Sequence, residues 1–108
     1  MGKRLLVMKW DYEYDKESTW FDEDHGQEQY ELTEGAAYPL PHLRGKRLEV
    51  HSVEADADLI KAEIYADHRT YTVCNHGEPV VGYAHDDYSV AGDSVSQTLR
   101  MEFSIKQG

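Results

Sequence analysis

The chain has 108 residues, enough for one domain with a modest core, and carries a formal net charge of −10. Ten acids and one base lie between Asp11 and Glu34, so that segment holds −9 of the total. This balance excludes non-specific binding to nucleic acid or to an anionic membrane, which both need cationic surface. Leu, Ile, Val and Phe number only 21, but eight Tyr and two Trp supply further burial area.

Residues 4–10 read as a first strand, apolar on both faces at Leu5, Leu6, Val7 and Met8. It continues into alternating aromatics and acids, with Trp10, Tyr12 and Tyr14 on one face. That apolar run is too short for a signal-peptide core or a membrane span. The myristoylation pattern suggested by Gly2 fails because Leu6 stands where Ser or Thr is needed. Residues 16–26 are polar apart from Trp20 and Phe21 and read as a loop or turn. Residues 27–34 alternate again around Tyr30 and Leu32 until Gly35.

Pro39 and Pro41 keep residues 36–45 out of any central strand, since each lacks a ladder donor. An extended crossover packed by Tyr38, Leu40 and Leu43 is expected there. Residues 46–53 form a strand with Leu48 and Val50 inward, and residues 54–58 connect it to the clearest local signal in the chain. Leu59 to Cys74 reads as a β-hairpin about a two-residue turn at Asp67-His68, both tolerant of positive φ. The turn sets Ala66 opposite Arg69, Ile64 opposite Tyr71 and Ala62 opposite Val73. Ile60, Ala62, Ile64, Tyr71 and Val73 then share one face; Lys61, Glu63, Tyr65, Thr70, Thr72 and Cys74 share the other.

A turn at 75–79 and a short strand at 80–84 follow, then a polar Gly-bearing loop at 85–93. Residues 97–106 give the longest alternation, with Leu99, Met101, Phe103 and Ile105 on one side. Seven or eight strands with regular turn signals predict an all-β domain spanning 1–108: an antiparallel β-sandwich, with a small β-barrel as the alternative. The Pro-rich crossover favours a Greek-key or jelly-roll connection.

The lone Cys74 excludes an internal disulfide and points to a reducing, cytoplasmic setting. Six His residues raise the metal question, and His85 with Asp87 is the remaining candidate pair. Were residues 77–79 to join two antiparallel strands, His85 would fall opposite Tyr71, about 16 Å from the Cys74–His76 pair. Asp22-Glu23-Asp24-His25-Gly26 fails as an EF-hand, because the Gly comes one position early and position 12 is Thr33; a non-EF cation site in this acidic segment stays open. No nucleophile elbow, phosphate loop or dinucleotide fingerprint occurs, so no cofactor is implied and catalysis is unsupported.

The expected function is therefore binding. Asp22, Glu23 and Asp24 would steer a basic, inhibitor- or immunity-type protein partner, and Trp20, Phe21 and Tyr30 would anchor it. Tyr88 adds a further exposed aromatic. Alternatives are a carbohydrate-binding sandwich stacking sugars on Trp20 or Tyr88, a metal-assisted enzyme, and a homodimer paired along the strand at 97–106.

Overall fold

The computed structural model describes residues 3–17 and 19–107. The Gly2 position lies outside them. The domain is an eight-stranded antiparallel β-sandwich: β1 (Arg4–Lys16), β2 (Trp20–Glu31), β3 (Ala37–Pro39), β4 (Arg47–Asp56), β5 (Leu59–Ala66), β6 (Arg69–Cys74), β7 (Val80–Val90) and β8 (Asp93–Gln107). One sheet has the order β2-β1-β8-β7 and the other β3-β4-β5-β6. Among the described residues no helix is long and apolar enough to cross a membrane.

The connection differs from the Greek key or jelly roll expected. Every hydrogen-bonded pair joins consecutive strands, except the closing pair β1–β8. This is an up-and-down order, like a barrel opened along two seams. The Pro-rich segment is no crossover: Pro39 ends the three-residue edge strand β3, which turns back to pair with β4. There the missing ladder donor does little harm.

The β5–β6 hairpin has the expected register, with Ala66 opposite Arg69, Ile64 opposite Tyr71 and Ala62 opposite Val73. Asp67 (φ 48°) and His68 (φ 69°) both take the left-handed conformation that this turn requires. Ile60, Ala62, Ile64 and Val73 are buried and join Leu48 and Val50 of β4 in the core. They face Leu6, Met8, Trp10, Leu99, Met101 and Phe103 of the opposite sheet. Leu40 and Leu43 close one side of that core as expected.

Two segments expected to be loops are strands. β2 begins at Trp20, so residues 20–26 continue the strand that alternation revealed only from Gln27. β7 runs through to Val90, and its turn is Ala91-Gly92, both at positive φ. Ala is a poor residue for that position, which hid the turn in the sequence.

Aromatic rings fill two places where a side chain is missing. Gly26 is the direct cross-strand partner of Trp10, and a Cβ there would lie 2.6 Å from the indole. Across the sandwich, Tyr71 rests on Gly82 of β7 and packs against Phe103 at 5.5 Å between ring centroids. The Tyr71 hydroxyl is buried without a hydrogen-bond partner among the described residues. A buried hydroxyl without a partner carries a desolvation cost. Tyr71→Phe is therefore expected to leave stability unchanged or raise it by up to ~1 kcal/mol. A urea midpoint lower than wild type would contradict this.

Candidate functional site

The two sheets differ in length, and the site follows from that difference. β8 has 15 residues and β1 has 13, whereas no strand of the other sheet exceeds ten. The molecule is correspondingly elongated, at 54 × 21 × 18 Å. Contacts from the shorter sheet reach the longer one at two points near this end. His42 stacks on Tyr12 at 4.1 Å and meets Trp10 edge-on at 5.3 Å. At the other edge the His85 backbone N–H donates to Asp67 Oδ2 at 2.8 Å.

Past that line the longer sheet continues as a tip. Its cross-strand rows are fixed by register: Asp22, Tyr14, Gln97 and Asp86 form one, and Trp20, Lys16, Val95 and Tyr88 the next. Gln97 Nε2 donates to the Tyr12 hydroxyl and ties the first row to the core. Val95 is buried although it stands apart from the main core cluster. Trp20 and Tyr88 occupy opposite edges of one row, about 14 Å apart at the usual strand spacing.

The pairing of β1 with β8 brings two acidic stretches together. Asp15, Glu17, Asp22 and Glu23 come from the first hairpin, and Asp86, Asp87 and Asp93 from the last. Lys16 is the one base within the same spans, and its ammonium sits 3.7 Å from Asp93. Asp15, Glu17, Asp87, Tyr88, Ser94 and Ser96 line an open depression of about 560 Å³ on this tip. The contribution of Asp86, Asp87 and Asp93 was invisible in the linear charge count, because it depends on a long-range strand pairing.

Among the expected binding residues, the fold gathers Trp20, Phe21, Asp22, Glu23 and Tyr88 at this end. Trp20 is 63% exposed and Phe21 57%, on opposite faces of β2. The Tyr88 phenol is pushed up by partial burial and by neighbouring Tyr14. Asp24 is already engaged: His42 Nε2 lies 2.9 Å from its Oδ2. That hydrogen bond, with the His25 N–H, holds the Asp24 carboxyl below the usual carboxylate range. Tyr30 is elsewhere. It lies ten residues along β2 from Trp20, about 33 Å away at strand rise. It stacks on Tyr38 at 4.8 Å, and burial followed by the Glu28 charge pushes its hydroxyl up to about 12.

The candidate metal pair is not joined by further ligands. His85 and Asp87 share the outer face of β7, and His85 Nδ1 lies 3.2 Å from Thr98 Oγ1. No group of three His, Cys, Asp or Glu side chains able to hold an ion occurs among the described residues. β6 and β7 belong to different sheets, so the register that set His85 opposite Tyr71 does not exist. Asn75 and His76 instead bond the Asp58 carbonyl, tying residues 75–76 to the β4–β5 turn. Of the other aromatics, the half-buried Tyr65 stacks on His51 and the exposed Tyr83 lies parallel to His85.

The strand at 97–106, expected to offer an edge for dimerisation, is flanked on both sides by β1 and β7. It offers no edge. The edges of this sheet are β2 and β7.

Comparison with protein-family models, with curated proteins and with solved structures finds no match.

Proposed function

We propose that the protein is a binding module that docks a basic protein partner on the acidic, aromatic tip of its longer sheet, in the manner of an inhibitor or immunity protein. One observation carries this reading: Trp20, Phe21 and Tyr88 stand exposed beside seven acids and a single base. Large aromatics of this kind are the usual anchors of protein interfaces, and the surrounding charge speeds encounter with a cationic surface. We place the module in the cytoplasm on the strength of its one free thiol, Cys74.

The test is binding to a panel of purified cationic proteins, at two salt concentrations. The affinity for a true partner should fall roughly tenfold or more between 50 and 200 mM salt. Asp22→Asn with Glu23→Gln should slow association, and Trp20→Ala should cost about 2 kcal/mol, chiefly in the dissociation rate. Binding that ignores salt and both sets of substitutions would overturn the reading.

A further inference from the structure

A sandwich of two open sheets has four edges, and in this protein they are treated unequally. β3 is three residues long and ends in Pro39. β6 packs beside β7 and β8, and Asp67 reaches across to occupy the His85 N–H of β7. Short edges, prolines and covering elements are the ordinary means of keeping a sheet from recruiting another strand. β2 is neither short nor broken by proline, and its cover consists of side chains: His42 at Asp24, and Tyr38 at Tyr30 and Glu31. It is 12 residues long, contains neither Pro nor Lys, and is exposed at every residue but Gly26 and Tyr30.

The direction of its backbone groups follows from register. The Leu32 N–H donates to the Arg4 carbonyl, so even-numbered residues of β2 bond β1 and odd-numbered ones face outwards. Two outward donors are covered only by local side chains: the Glu23 N–H bonds Asp22 Oδ1 and the His25 N–H bonds Asp24 Oδ1, each at 2.9 Å. The outward Glu31 carbonyl accepts from the Tyr38 hydroxyl at 2.7 Å. Between the His25 and Glu31 caps the edge is open at Gln27 and Gln29, and the covers at Glu23 and His25 are local side chains alone.

We propose that this edge takes up a fifth strand, an extended segment of a partner protein bearing Lys or Arg at alternate positions. The proposal rests on the basic-partner reading and adds how the partner is held. Charge selects the occupant. β2 carries five acids and neither Lys nor Arg, so a second copy laid antiparallel on it would set acids against acids, which destabilises cross-strand pairs. A cationic strand reverses the sign of each such pair. Main-chain hydrogen bonds then supply affinity, and Trp20 and Phe21 offer an aromatic contact on either face at one end. Asp22 and Asp24 act as removable covers: they shield the donors in the free protein and release them when a strand's carbonyls arrive.

The experiment titrates the full chain with an eight-residue peptide of alternating Lys and Thr, and with the same peptide N-methylated on one edge. The expected result is salt-dependent binding of the first and an about tenfold or greater loss with the second, equivalent to about 1.4 kcal/mol. Amide exchange should slow at Glu23, His25, Gln27 and Gln29, the outward N–H groups. Gln27→Pro removes one outward donor without changing charge, and should weaken the unmodified peptide to a similar extent. Should that variant fail to fold, the N-methylated peptide still decides. Equal binding of both peptides, without slowed exchange, would overturn strand addition while leaving the basic-partner reading standing. Absence of binding by either peptide would count against both. Edge protection that grows with protein concentration alone would assign the edge to a second copy and overturn the proposal.

Discussion

Valine at Gly82 should cost about 3 kcal/mol, the upper end of what overpacking a core usually costs. Gly82 is buried on the inner face of β7, and a Cβ there would lie 2.5 Å from Tyr71 Cζ and 2.6 Å from its hydroxyl. The ring has little room to retreat, because Phe103, fully buried, packs against it. Alanine should cost about half as much, since it adds one carbon instead of three. Urea denaturation measures both as a lower midpoint with an unchanged slope. Combining Gly82→Ala with Tyr71→Leu, which removes the far end of the ring, should cost less than the two changes added. A Gly82→Val protein as stable as wild type would show that Tyr71 swings freely and that the sheets are not locked at this point.

Replacing Asp67 with Ala should cost about 2–3 kcal/mol, or roughly 10 °C in Tm for a domain of this size. The Asp67 side chain is only 11% exposed and accepts two bonds at once, from Lys46 Nζ at 2.7 Å and from the His85 N–H at 2.8 Å. One bond belongs to its own sheet and the other to the opposite sheet. Burial pushes this carboxyl up, but the Lys46 bond and the His85 N–H outweigh it, and the net shift is downward. A carboxyl whose pKa is lower folded than unfolded stabilises the native state fully above the unfolded value, near 3.9. That stabilisation disappears as pH falls through the folded value. Asp67→Asn keeps an acceptor for His85 and tolerates the positive φ, so it should lose about half as much at pH 7. Its deficit against wild type should shrink steadily below about pH 4. A deficit that stayed constant down to pH 2 would mean that the charge contributes nothing.

The β5–β6 hairpin was legible in the sequence because two independent signals agreed there. A turn of two residues tolerant of positive φ fixed the register, and the alternation of Ile60, Ala62 and Ile64 against Tyr71 and Val73 matched it. β8 was legible in its longer part for the second reason alone. The first half of β2 and the far half of β7 were not, because edge-strand segments exposed on both faces show no apolar period. Acids also have low strand propensity, so Asp22-Glu23-Asp24 suggested a loop. Trp20 and Phe21 were recognisable as candidate anchors from their isolation in that polar segment. Their meeting with Tyr88 and three further acids was not, since no local pattern announces that β1 and β8 are neighbours. The Pro-rich stretch misled about topology: it marks a minimal edge strand, and the sheets are joined by the short segments at 32–36 and 75–79.

The β1–β8 pairing also bears on how the chain reaches this structure in time. The five hairpin contacts (β1–β2, β3–β4, β4–β5, β5–β6 and β7–β8) each close a short loop and can form early and separately. The central pair of the longer sheet joins Arg4 to Gln107 and has to wait for nearly the whole chain. During synthesis the aromatic face of Trp10, Tyr12 and Tyr14 emerges before the other strands of this domain and meets its remaining neighbour last. Until then the early β1–β2 hairpin is a two-stranded ribbon with two unpaired edges, and the dense acids of residues 11–34 would keep such ribbons apart by repulsion. The charge that dresses the tip of the finished domain would thus already serve the half-made one.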